Sequence, residues 1–325
     1  MLIFSDLHLR EESEDIVFNE VLPGIQAAAL QHHETKIAFL GDWWHIRYTV
    51  SVRLFNRVRD TLMQWHGAGL HVRLLPGNHD QIDVQGRNAL EALGDLPHVQ
   101  VYSEPTWDED GFWMPYRKDN EATRAALQAS GHKPGLINTL FMHNAVQGAW
   151  MNDHMANTDG LNLQEFDGWN AILCGHYHKR QVLNRLTYIG SPYQTKSDEA
   201  GQPKGYALWD GTRLSLFDTS WGPRHHSINT EVGQEMDLSG VAKTDEIRIR
   251  LAGEGSIADA EKLGQELKKA GYANVVVTPE VTPMQARLQV GENASLASYV
   301  RAYVEQVDTD LDRDRLMKAF EYVTG

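Results

Sequence analysis

One cysteine, Cys174, stands in the whole 325-residue chain. That excludes an intramolecular disulfide and a thiolate metal cluster, so any metal must be held by His, Asp, Glu or Asn. No apolar run approaches the roughly 20 residues that a membrane span needs. The N-terminus lacks the charged region, apolar core and cleavage site of a signal peptide. A cytoplasmic protein without membrane contact is therefore expected. Basic residues are also in deficit: 30 Lys and Arg face 44 Asp and Glu, a formal charge of −14. The deficit is shared along the chain, −8 over residues 1–225 and −6 over the rest. Neither part is a basic nucleic-acid-binding module, and attraction to a polyanion over the whole surface is disfavoured.

What the chain does have is a 42% hydrophobic content, enough for a packed core, and a length that favours two domains. "MLIFS", "TKIAFLGD", "LHVRLLPGNHD", "INTLFMHN" and "WNAILCGHYHK" share one plan, an apolar run of strand length followed at once by polar residues. Between two of them, "SVRLFNRVRDTLMQWH" places Leu54, Val58, Leu62 and Trp65 on one face of a helix. Fully apolar strands separated by helices predict a layered α/β domain with sheets covered on both faces. "RLSLFD" reads as its last strand, and the polar stretch "TSWGPRHHSINTEVGQ" reads as a linker. Beyond it, "DEIRIRLAG", "NVVVTPEV" and "ARLQVG" read as strands, and "SIADAEKLGQELKKAGYA" and "SLASYVRAYVEQV" as helices. The expected division is an α/β domain over 1–222, a small α+β domain over 229–309 and a helical tail over 310–325.

Five strand ends carry metal-type ligands: Asp6 and His8; Asp42 and His45; Asn78, His79 and Asp80; His143; His176 and His178. A single histidine after a strand is usually a satisfied surface or core residue. Five such ends in one chain are not accounted for in that way. In extended chain, residues i and i+2 project to the same side, so Asp6/His8 and His176/His178 can converge while Leu7 and Tyr177 point elsewhere. Gly41, Gly77 and Gly175 precede ligands where a backbone must bend or approach an ion. Nitrogen and oxygen donors suit manganese, iron or zinc. Seven ligands exceed what one tetrahedral ion takes, whereas two ions about 3.5–4 Å apart, bridged by Asp42, use them well.

The series "DLH", "GDWWH", "GNHD", "MH" and "GHYH", in that order over residues 1–195, resembles the calcineurin-like metallophosphoesterase superfamily. The resemblance implies a layered α/β fold. It also implies one metal on Asp6, His8 and His178, another on Asn78, His143 and His176, and Asp42 bridging both. His79 would bind the substrate phosphate, with Asp80 orienting its imidazole. Manganese is expected first, with iron, zinc or magnesium as alternatives. His45, the "GSP" element within "YIGSPYQT" and the small C-terminal unit resemble the SbcD/Mre-eleven-type DNA repair nuclease subunits, and the short chain resembles their compact phage forms. An exonuclease, with or without endonuclease activity, is thereby implied, acting on double-stranded ends or hairpins. The same resemblance implies a homodimer, built through the helix at 51–66 and the pattern at 86–93, and an SbcC-like ATPase partner. A stand-alone metallophosphatase or small cyclic-nucleotide phosphodiesterase is the competing expectation. Arg47, Arg53, Arg57, Lys179 and Arg180 are candidate phosphate contacts. Trp43 and Trp44 are core residues or a stacking platform for a base.

Overall fold

The computed structural model describes residues 1–83, 87–131, 138–153, 155–253 and 256–280, with Val300, Tyr303, Val304 and Arg315. Strands β1 (Leu2–Phe4), β2 (Lys36–Leu40), β3 (His71–Leu75) and β4 (Val99–Val101) open the chain. They are followed by β5 (Thr106–Trp107), β6 (Phe112–Met114), β7 (Thr139–His143), β8 (Ala171–Gly175), β9 (Gln181–Leu183) and β10 (Leu186–Tyr188). Next come β11 (Gly205–Trp209), β12 (Leu214–Asp218), β13 (His225–Glu231), β14 (Glu246–Ala252) and β15 (Asn274–Pro279). One six-stranded sheet has the order β12-β11-β1-β2-β3-β4, another β5-β6-β7-β8-β10-β9, and a three-stranded sheet the order β13-β14-β15. The central pairs β1–β2, β2–β3, β6–β7 and β7–β8 are parallel.

Alternation along these strands explains why their runs are largely apolar. Leu2, Phe4, Ile37 and Phe39 enter one buried cluster with Val17, Leu22 and Ile25, and with Leu54, Val58, Leu62 and Trp65 of the helix Val52–Gly67. The intervening Ile3, Ala38 and Leu40 meet Phe141, Leu173 and Trp113 between the two large sheets. On the far face of the second sheet, Leu140, Met142, Ile172 and Cys174 pack with Leu127 of the helix Asn120–Ala129 and with Phe166 and Trp169. Period-2 side chains with both faces covered require apolar residues at every position. This is the layered α/β arrangement expected from the sequence. Trp43 and Trp44 are 0% and 2% exposed, and Trp43 packs edge-on to Phe4 and Phe39. Both are core residues.

Grouping by compactness gives two units: residues 1–228, 237–248 and 267–276 in one, and 229–236, 249–266 and 277–325 in the other. The stretch expected to be a linker contains β13, and Trp221 stacks on Tyr206. Polar residues along β13 conceal its strand character, because only His225 and Thr230 are buried. β14, β15 and the helix Ser256–Lys269 lie where the sequence pattern predicts them. The strand expected at 286–291 lies outside the described residues. So do most of the helix at 295–307 and of the tail. Of the pattern at 86–93, residue 86 is likewise outside, and the described part makes only a 3-10 turn, Glu91–Leu93. Among the described residues no helix is long and apolar enough to cross a membrane.

Candidate metal centre

All five ligand-bearing segments leave the C-terminal ends of parallel strands β1, β2, β3, β7 and β8, where loops of open α/β sheets converge. The loops after β1 and β2 stay zipped beyond the sheet. Asp6 donates its amide to the Gly41 carbonyl at 2.9 Å, His8 to Asp42 at 2.9 Å and Leu9 to Trp43 at 2.8 Å. The backbone is not extended there, contrary to the expectation for Asp6/His8 and His176/His178. Asp6 (φ 54°), His8 (φ 47°), Asp42 (φ 62°) and His176 (φ 95°) all lie at positive φ. Such conformations cost of order 1–3 kcal/mol each and persist where the surroundings over-determine them. Leu7 and Tyr177 are buried, but the Tyr177 ring lies 4.8 Å from that of His176 and so does not point clear of the pair. The glycines act by close approach: a Cβ on Gly41 would strike His143 Nδ1, and one on Gly175 would lie 2.8 Å from that atom.

Two clusters result. Asp6, His8 and His178 bring their ligand atoms within 4.8 Å of one another, as do Asp42, His143 and His176. His8 Nε2 is 2.9 Å from His178 Nε2 and 3.5 Å from Asp42 Oδ2. His143 Nδ1 donates to the Leu40 carbonyl at 2.6 Å, which turns its Nε2 to Asp42 Oδ2 at 3.4 Å and to Asn78 Oδ1 at 3.2 Å. Asn78 Oδ1 also lies 2.8 Å from His176 Nδ1. Asp42 thus faces both clusters. Carboxylate, imidazole and amide donors converging without a thiolate form a set that fits divalent first-row ions.

Electrostatics follow from burial. Burial opposes ionisation of Asp42, but the His143 and His8 imidazoles outweigh it and hold its carboxyl well below the usual range. His143 is pushed up to about 9, because the Asp42 carboxylate beside it overcomes the burial penalty. Burial first, and the neighbouring His143 second, push His176 down to about 3. Burial and the facing His178 lower His8 as well.

A third group, His8, His45 and His79, meets the same 4.8 Å criterion at the mouth. His79 Nδ1 donates to the His45 carbonyl at 2.7 Å, and its backbone amide donates to Asp42 Oδ1 at 2.7 Å. Asp80 does not touch the His79 ring, which corrects the orienting role expected for it. Its buried carboxylate instead accepts the amides of Asp42, Trp43, Trp44 and Gly77 at 2.8–3.1 Å. Burial and the Asp42 charge push it up to about 7 against those amides. Asp80 therefore anchors the loops that carry the candidate ligands.

Four of the five expected phosphate contacts are engaged in ion pairs. Arg53 and Arg57 pair with Glu14, and Arg57 also covers the Phe18 ring. Lys179 pairs with Asp153 at 2.6 Å, and Arg180 with Asp218 at 2.6 Å. Only Arg47 of the five is exposed and engaged in no ion pair among the described residues. Basic groups that do line the roughly 450 Å³ cavity are Arg10 and Lys196. Sequence reasoning also missed Glu199, buried against His178. It sits in the polar turn "TKSDEAG", whose only cue is its position just after "GSP".

The layered sheets and the two side-chain clusters are the arrangement that the sequence pattern leads one to expect. No family model matches the chain. It is similar to exonuclease subunit 1 of Enterobacteria phage T4, with 22% identity over 345 residues, spanning 98% of this chain and 96% of that protein. The solved Pseudomonas putida nuclease MPE shares 22% identity at a TM-score of 0.29, covering 57% of this chain and 65% of that one.

Proposed function

We propose that the chain is a metal-dependent DNA nuclease, an exonuclease with or without endonuclease activity, hydrolysing phosphodiester bonds at a dinuclear centre. The observation that carries this reading is the convergence of Asp6, His8 and His178 with Asp42, His143 and His176 around a shared Asp42. Its end-to-end likeness to a phage exonuclease subunit supports DNA as the substrate.

In this reading Asp6, His8 and His178 would hold one ion and Asn78, His143 and His176 the other, with the Asp42 carboxylate shared between the two groups. Divalent ions so held, manganese foremost, would lower the pKa of water and neutralise charge on the phosphate oxygens. The protein's own part is positional. Because His79 Nδ1–H is committed to the His45 carbonyl, its Nε2 faces the cavity. That nitrogen is placed to contact a phosphate oxygen or the departing oxygen. His45, whose Nδ1 is buried and unpartnered, supplies a further donor. Arg47 remains a candidate for the DNA backbone.

The related phage protein is a subunit, which supports docking on an SbcC-like ATPase. The helix Val52–Gly67 carries Val52 exposed at its start, next to exposed Tyr48 and Ile46, and this face suits a homodimer contact. The experiment is to incubate the purified protein with linear double-stranded DNA and, separately, with small phosphate monoesters and cyclic nucleotides, with Mn²⁺ and with chelator. Nucleotide release from DNA that depends on the ion is expected. Turnover of the small esters with intact DNA would replace this reading by the stand-alone phosphatase. A monomer mass at micromolar concentration would remove the dimer.

A further inference from the structure

The Nδ1 side of His178 faces away from the proposed ions, into a buried polar cluster that the sequence motifs do not include. Glu199 Oε1 lies 2.5 Å from His178 Nδ1, and Thr195 Oγ1 lies 3.0 Å from the same atom. The other carboxylate oxygen, Oε2, accepts the Thr195 amide at 2.9 Å and pairs with Lys204 Nζ at 2.9 Å. Lys204 also donates to the His178 carbonyl at 2.9 Å and to Ser191 Oγ at 3.0 Å. The Glu199 and Lys204 side chains are 3% and 4% exposed. Two unlike charges out of water are costly unless each is paired and hydrogen-bonded, and here each is.

We propose that Glu199, clamped by Lys204, is a positioning residue that fixes His178 as a ligand and makes the Asp6/His8/His178 cluster the tighter of two cation sites. The inference rests on the dinuclear reading above. A carboxylate can only accept from Nδ1–H, so it commits the proton to that nitrogen and leaves Nε2 as a lone pair aimed at His8 Nε2. A negatively charged acceptor also makes the imidazole a stronger donor to a cation than a neutral acceptor does. In the second cluster His143 has only the Leu40 carbonyl in that position. The two sites thus differ in the charge standing behind their ligands. Lys204 holds both the Glu199 carboxylate and the His178 backbone carbonyl, so imidazole and carboxylate keep their register.

The test is a calorimetric titration of the whole protein with Mn²⁺, for the wild type, E199Q and the double variant E199Q/K204M, with a thermal melt of each metal-free form. The wild type should bind two ions of unequal affinity. E199Q should weaken the tighter one by about 10–100-fold, the usual effect of losing such a partner, and leave the other unchanged. The ion affected should be the one that His178→Ala also loses. E199Q leaves the Lys204 ammonium buried without its counter-charge, so its melting temperature should fall, whereas the double variant should melt higher but still lack the tight ion. Two ions bound with wild-type affinities by folded E199Q would overturn the inference while leaving the dinuclear reading intact. Recovery of the tight ion in the double variant would overturn it as well, by making Glu199 a purely structural partner. A wild type that binds no Mn²⁺ would remove the dinuclear reading itself.

Discussion

The Nε2 atoms of His8 and His178 stand 2.9 Å apart. With its Nδ1 proton committed to Glu199, His178 presents a bare lone pair, so the contact requires a proton or a cation between the rings. Ligand loss should therefore be severe. Alanine at Asp6, His8, Asn78, His143 or His176 is expected to reduce DNA hydrolysis to under about one hundredth, since loss of a mere supporting partner already costs about 10–100-fold. Steady-state nuclease assays alongside metal analysis check this. Near-wild-type turnover in any two variants would sink the two-ion assignment.

Cation binding should release a proton. The Asp42 carboxylate overcomes the burial of His143 and raises it to about 9, so below that pH the metal-free ring is protonated at both nitrogens. Its Nε2 must lose that proton to become a ligand. His8 and His176 are lowered by burial and neighbouring rings and are already neutral at pH 7. Mn²⁺ affinity should accordingly rise with pH up to about 9, with about one proton released at pH 7. Calorimetry in buffers of different ionisation enthalpy measures it. Identical apparent enthalpies across the buffers would refute the assignment.

Much of this site is legible in the chain because strand periodicity is local. The runs ending at Asp6, Asp42, Asn78, His143 and His176 are largely apolar, Arg73 of β3 and Thr139 of β7 being exceptions, and the structure covers both faces of their strands. The residues of the two clusters are readable from residue type and position alone. What stays hidden is long-range pairing of ordinary polar residues. Asp80 looks like the partner of its neighbour His79, yet its carboxylate reaches back to the amides of residues 42–44. Arg53 and Arg57 look like free cations until Glu14, 39 and 43 residues away, is brought against them. β13 escapes notice because its partners, not its own hydrophobicity, make it a strand.

Away from the site, Asp108 should make stability depend on acid pH. Burial opposes its ionisation, but the Tyr102 hydroxyl, the Asp110 amide and the Arg73 guanidinium, 3.2 Å away, hold its carboxyl below the ordinary 3.8. A depressed carboxylate stabilises the fold fully above its unfolded value and ceases to do so as pH falls through its folded one. Asp108→Asn should cost about 1.5–3 kcal/mol at pH 7, the range for hydrogen bonds to charged groups. The difference from wild type should shrink as pH falls below 3.8. Urea unfolding at pH 7 and pH 3 gives both values. A deficit that stays constant between them would exclude the electrostatic cause.

His79→Ala should separate chemistry from metal binding. The ring is tied to the His45 carbonyl through Nδ1 at 2.7 Å and belongs to the third, mouth-side imidazole group, not to either cluster built with Asp6 or Asp42. The backbone amide that holds Asp42 Oδ1 survives the substitution, so the bridging carboxylate keeps its place. A side chain that transfers a proton or stabilises charge typically contributes about 10²–10⁴-fold. Turnover should fall by that order while metal content stays at the wild-type value. Affinity for DNA should change little, since one phosphate contact among several supplies only part of it. The competing assignment makes His79 the ligand and Asn78 a turn residue. Metal analysis of the two alanine variants discriminates: an ion lost from His79→Ala but kept by Asn78→Ala would reverse the roles given to them here.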